Sequence, residues 1–167
     1  MTAITHEFKF HGGLLQRGFW LYVWEITLPD GATLHYVGRT GDNSSVNAQS
    51  PFARMGQHLG FAKSSNMLRR HLQKHHGSPD GCVFHLVAHG PILEEANDRE
   101  GHDERRDIVA AMEKALAEDM TAAGYAVMNT VRCRKSLDGI LYAHIRAAFS
   151  AQFPALGSGS ASSGDPR

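Results

Sequence analysis

Nine consecutive residues, Phe19 to Thr27 (FWLYVWEIT), constrain this chain more than any other stretch. Aromatic and β-branched side chains suit a pleated, packed surface, so the run is expected to be a strand. Pro29-Asp30-Gly31 supplies turn chemistry directly after it. Residues 34–37 read as a second strand, which makes the pair a β-hairpin. A third strand is expected at residues 82–89 (CVFHLVAH), between flanking glycines.

Helical signals fill the rest. Ser50 before Pro51 is an N-cap followed by proline in the first helical position, opening a short helix to His58 that Gly60 ends. Ser64 or Ser65 caps a second helix over residues 66–76, stopped by Gly77 and Pro79. Ile108, Val109, Met112, Leu116 and Met120 recur at helical spacing, which predicts a long helix over residues 101–123 with Gly124 just past its end. A last helix, residues 137–149, follows Ser136. Residues 38–50 are polar and rich in Gly, Asn and Ser, and so are expected to be a loop. The order ββααβαα predicts a small α/β sandwich of the α+β class, a three-stranded, largely antiparallel sheet flanked by helices. Residues 1–18 form an N-terminal extension and residues 19–150 the domain. The remainder, residues 151–167, ends in ALGSGSASSGDPR and is expected to be disordered for want of apolar side chains.

A length of 167 residues suits one domain, and 42% hydrophobic with 20% charged residues is the composition of an ordinary globular protein. No apolar run approaches the roughly 20 residues of a membrane helix, and the first residues show neither a basic start nor an apolar stretch. Cys82 and Cys133 lie far apart, as expected of two reduced thiols in a cytoplasmic protein. The net charge of zero hides a strong polarity. Between Pro51 and Gly77 the charged residues are Arg54, Lys63, Arg69, Arg70 and Lys74, with no acid, and His58, His71, His75 and His76 lie among them. Between Glu94 and Asp119 ten acids face four bases. A basic face attracts phosphate whatever the global total, because the attraction is short-ranged at physiological salt.

Trp20-Leu21-Tyr22 is followed, after thirteen residues, by Tyr36-Val37-Gly38; Arg54 and His58 then stand one turn apart, and Glu113 and Asn129 come later. This ordered set resembles the GIY-YIG nucleases over about residues 19–130. Trp20 replaces that family's first glycine, Arg39 stands where many members have lysine, and the loop before Arg54 is longer. The resemblance implies an endonuclease that hydrolyses DNA phosphodiesters (RNA being possible) with one Mg²⁺ or Mn²⁺. It also implies 5′-phosphate and 3′-hydroxyl products.

Phosphodiester hydrolysis needs an activated water, neutralised phosphate charge and a stabilised leaving group. By resemblance Tyr36 is the general base and Tyr22 shares its site, with Gly38 completing the motif. A phenol of reference pKa about 10 needs cations nearby to act so, and Arg39 or Arg54 supplies that field. Arg54 suits a phosphate clamp, since its planar fork holds two oxygens. His58, one turn on, shares its face and serves the leaving oxygen or the phosphate. Glu113 lies on the flank of the apolar stripe, where a carboxylate needs a partner. A divalent cation is one, a salt bridge to arginine the other. Asp119 borders the opposite flank, so helical phase alone does not choose between them. Asn129 ties backbone or water near the site. Lys63, Arg69, Arg70, His71 and Lys74 are expected to contact nucleic acid. Two other readings stand beside this one: a nucleic-acid-binding module without turnover, and a protein-interaction domain using the acidic helix.

Overall fold

The computed structural model describes residues 3–42, 46–75 and 77–157. Phe19–Thr27 forms β1, Thr33–Arg39 forms β2 and Val83–Leu93 forms β3. They make one antiparallel sheet in the order β2-β1-β3. The central place of β1 explains its composition. Phe19, Leu21 and Val23 pack into a core with the later helices, whereas Tyr22, Trp24 and Ile26 pack on the other face. A strand buried on both sides reads as one apolar run.

Pro51–Leu59 (α1) and Met67–His75 (α2) cover the face bearing Tyr22, and Leu68 and Leu72 are fully buried there. Arg99–Ala122 (α3) and Gly139–Ser150 (α4) cover the opposite face through Val109, Met112, Leu116, Ile145 and Phe149. The result is a mixed α+β fold with four α-helices among the described residues. No described helix is long and apolar enough to cross a membrane.

Several expectations meet the structure closely. Ser50 caps α1 by accepting from the Ala53 amide at 3.2 Å, Gly60 closes that helix, and Gly124 follows α3 with φ +91°. The hairpin turn holds as well, Gly31 taking φ +86° while the Asp30 carboxylate accepts from Ala32 N.

Other boundaries are corrected. β2 continues through Gly38 and Arg39, residues the sequence assigned to a loop, because their backbones pair with Tyr22 and Leu21. β3 runs past His89 to Leu93; Gly90, at φ +150°, lets the chain lie against Trp20, where a Cβ would come within 2.7 Å of the indole. α3 begins at Arg99 under an Asp98 cap. α4 begins at Gly139 under Asp138, not Ser136, because the Asp138 carboxylate accepts from both Ile140 N and Leu141 N. Packing also continues beyond Ser150, against the expected tail from 151. Phe153 and Leu156 belong to the core, and the Phe153 ring meets those of His35 and Tyr125. Residues 158–167 of that tail, and His76, lie outside the described residues.

Two devices fix the hairpin. Thr40, fully buried, accepts from Trp20 N at 2.8 Å and donates to Gly18 O at 2.6 Å. Along the open edge of β2, His35 N donates to Ala126 O and Met128 N to His35 O, so Val127 forms an isolated parallel bridge with His35. Thr40→Val keeps the shape but strands a buried amide and a buried carbonyl. It should lower stability by about 1–3 kcal/mol in chemical denaturation, and an unchanged midpoint would contradict this account of the hairpin.

Candidate active site

Strand alternation places Tyr22 and Tyr36 on the α1–α2 face and directs Arg39 to the α3 face. Tyr22 sits opposite Gly38, and a Cβ on Gly38 would lie 2.5–2.7 Å from Tyr22 ring atoms. The glycine of Tyr36-Val37-Gly38 is thus required by the Tyr22 ring, which lies across β2 and reaches α1. There the Tyr22 hydroxyl meets His58 Nε2 at 2.6 Å. The rings of Tyr22 and Tyr36 both approach His58 edge-on, at 5.7 and 5.3 Å.

Burial holds both phenols well above their ordinary range. Burial, and then the Arg54 charge, push His58 down to about 3. The imidazole is therefore neutral at physiological pH, and in the tautomer whose Nε2 accepts, the protonated phenol of Tyr22 donates to it. Nδ1 of His58 then carries the ring hydrogen, and it is buried without a partner. In this state neither tyrosine is ionised as a base, and His58 holds no proton of an imidazolium to give as an acid.

Arg54 extends from α1 to donate to Asp42 and to Gln57, each at 2.9 Å, and its charge acts on both phenols. From the other layer, Arg39 Nε donates to Glu113 Oε2 at 2.9 Å, with both side chains largely buried. The salt bridge weighed for Glu113 is thus present. Arg39 and Arg54 both act on the Glu113 carboxylate, so the two layers meet in one electrostatic cluster at the end of β2. Two further guanidinium nitrogens in this cluster, Arg39 Nη1 and Arg54 Nε, are buried without acceptors. With His58 Nδ1 they make three buried N–H groups that lack a partner. Unmet donors of this kind call for an anionic or carbonyl oxygen.

Asn129 grips the Val37 backbone from both sides, its Oδ1 accepting from Val37 N at 3.0 Å and its Nδ2 donating to Val37 O at 2.7 Å. This holds the edge strand between Tyr36 and Gly38. Asp119, the rival carboxylate of α3, is engaged elsewhere: it accepts from Tyr142 and Arg146 of α4, each at 2.8 Å.

Tyr22 and Tyr36 therefore meet His58, the Arg54 charge acts on both phenols, and Glu113, paired with Arg39, is coupled to this group through its charge. The basic residues do not all join that group. His71 packs its ring 5.9 Å from Tyr36, whereas Lys63, Arg69 and Arg70 line a separate pocket and Lys74 is exposed on α2. Sequence reasoning missed Asp42 and Gln57. Gly41-Asp42 has only turn chemistry in the sequence, and the partnership with Arg54 is tertiary. Gly41, at φ +79°, lets the chain pass over Phe19, where a Cβ would come within 2.4 Å of the ring. Among the described residues no group of three His, Cys, Asp or Glu side chains is arranged to hold a metal by protein ligands alone. Comparison with protein-family models, curated proteins and solved structures finds no match to the chain.

Burial raises the Glu113 carboxyl from its ordinary 4.5 to about 7, against the opposing charge of Arg39. Between those values the folded protein keeps a proton that the unfolded chain has released, so stability falls as pH rises through the window. Glu113→Gln stays neutral and escapes that loss. Denaturation midpoints across the window should show wild type losing up to about 3 kcal/mol relative to the variant as pH rises. Parallel profiles would contradict the burial of this carboxylate.

Proposed function

We propose that this protein is a metal-dependent endonuclease that hydrolyses nucleic-acid phosphodiesters, with DNA as the substrate implied by its GIY-YIG resemblance. The observation that carries the reading is the set of buried donors without acceptors, Arg39 Nη1, Arg54 Nε and His58 Nδ1, beside a carboxylate and two tyrosines. A phosphodiester brings the anionic oxygens that such donors lack. Donors already fixed in a water-poor site stabilise developing charge without reorganising at the moment of reaction.

Each side chain then has a role. Arg54 and Arg39 hold the non-bridging oxygens and offset the charge that builds on them. Tyr36, after releasing its own hydroxyl proton to solvent, takes the proton of the attacking water, a role drawn from the resemblance, and Tyr22 orients that water while its own hydroxyl is held by His58 Nε2. Burial opposes ionisation of Tyr36, and the Arg54 charge favours it. Water oxygen bonds to phosphorus as the bond to the 3′ oxygen breaks, and that leaving oxygen takes a proton from solvent water, which leaves a 5′-phosphate and a 3′-hydroxyl.

The residues fit Mg²⁺ or Mn²⁺ better than zinc. Such ions need one or two carboxylates and take the rest of their shell from water and phosphate. Glu113 is a single carboxylate that burial raises to about 7, and a bound cation would offset that cost of burying its charge. When bound there, the ion supplies charge neutralisation and a more acidic water.

One feature favours the reading as a binding module without turnover: both phenols are held protonated and His58 neutral. Supercoiled plasmid separates the two. With Mg²⁺ or Mn²⁺ the wild type should yield nicked or linear DNA; Glu113→Ala and Arg54→Ala should each slow cleavage about 100-fold or more, to rates still measurable. DNA binding without cleavage in either metal would favour the module, and full activity of Glu113→Ala would sink the metal assignment.

A further inference from the structure

The elbow between α1 and α2 carries an open pocket of about 450 Å³ lined by Phe61, Lys63, Asn66, Arg69, Arg70 and Gln73. It is set apart from the residues assigned to cleavage but adjoins them along the chain. Arg69 donates to the Leu59 carbonyl at 3.0 Å, one residue beyond His58. Three features give the pocket a chemical character that a merely solvated basic face does not need.

Phe61 is 83% exposed, and the Arg69 guanidinium lies 4.2 Å from its ring centroid. One side of the ring is thus backed by a cation that is itself anchored to α1, while the aromatic surface is otherwise open. Asn66 is only 5% exposed, and its Oδ1 is buried with no hydrogen-bond partner. It immediately precedes α2, where an asparagine oxygen ordinarily accepts from a helix amide. Here that acceptor is unused, which is costly unless a ligand donates to it. Lys63 and Arg70 add positive charge at the same rim.

We infer that this pocket binds one unpaired nucleotide, its base stacked on Phe61 and donating an N–H to Asn66 Oδ1, its phosphate held by Lys63 and Arg70. The volume lies in the range of small-molecule sites. Base-on-aromatic stacking tolerates any base. Every base carries an N–H donor on its pairing edge, so the Asn66 oxygen accepts from whichever base is bound. A base inside a duplex has both faces stacked and its pairing edge occupied, so only an extrahelical or single-stranded nucleotide offers both contacts. This deepens the nuclease reading, on which it rests for the class of ligand. It selects DNA with a bulge, flap or single-stranded junction over uninterrupted duplex.

The test uses binding in the absence of divalent metal, so that cleavage does not intervene. A fluorescent duplex with one unpaired adenine is compared with the same duplex fully paired, by anisotropy, for wild type, Phe61→Ala and Asn66→Ala. Wild type should bind the bulged duplex about tenfold more tightly, the scale of one stacked base. Phe61→Ala should erase that preference and leave affinity for paired duplex unchanged; its exposure makes it safe for folding. Asn66→Ala should reduce the preference. Equal wild-type affinity for the two duplexes would overturn the inference. So would a preference that survives both substitutions, or a Phe61→Ala loss shared equally by both duplexes. Plasmid nicking is read separately. A bulge preference in a protein that never cuts keeps the pocket and removes the catalytic reading, whereas cutting without the preference does the reverse. Binding to neither duplex overturns both.

Discussion

The contact of the Tyr22 ring with Gly38 sets the geometry on which the site depends. Antiparallel register brings the two residues opposite each other, and the missing side chain leaves room for the ring to cross β2. From there its hydroxyl reaches His58, so a single side chain couples the sheet to α1. A slip of one residue would turn Tyr22 to the other face, away from α1 altogether. Thr40 and the Gly31 turn hold the register from the two ends of the hairpin, and Asn129 holds the edge strand from outside.

A second constraint follows from alternation along the strands. Arg54 and His58 reach the site from the α1 layer, and Arg39 and Glu113 meet it from the α3 layer. At the end of β2 charges from the two layers act on each other. Burial there serves two ends at once. It strengthens every charge interaction, and it leaves N–H groups on Arg39, Arg54 and His58 without acceptors. The same burial raises both phenols and lowers His58, so the proton inventory at rest is a neutral imidazole and two intact hydroxyls.

Much of this was legible in the chain because it is local. The unbroken apolar run of β1 records burial on both faces, and Ser50-Pro51 and Gly124 mark helix ends by chemistry that acts within one turn. Tyr22, Tyr36, Arg54, His58 and Glu113 were legible as an ordered set, which no single residue among them would have revealed. What escaped was tertiary. Gly38 and Arg39 look like loop until the register with Tyr22 and Leu21 is known. Phe153 and Leu156 stand in a segment too sparse in apolar residues to suggest a core, yet they fill one supplied by Tyr125 and α3. Asp42 resembles a turn residue and becomes the partner of Arg54 only through the path of the chain over Phe19. Helical phase left Glu113 and Asp119 equivalent, and the distinction came from α4, whose Tyr142 and Arg146 claim Asp119.

The central claim is that Arg54 from one layer and the Glu113 carboxylate from the other act as one unit on a phosphodiester. The most direct measurement is the rate of metal-dependent plasmid nicking by Arg54→Ala, Glu113→Ala and the double variant. Residues that act together give strongly non-additive losses. The double variant should therefore be no slower than the slower single one. Losses that multiply, or wild-type rates in either single variant, would contradict the claim.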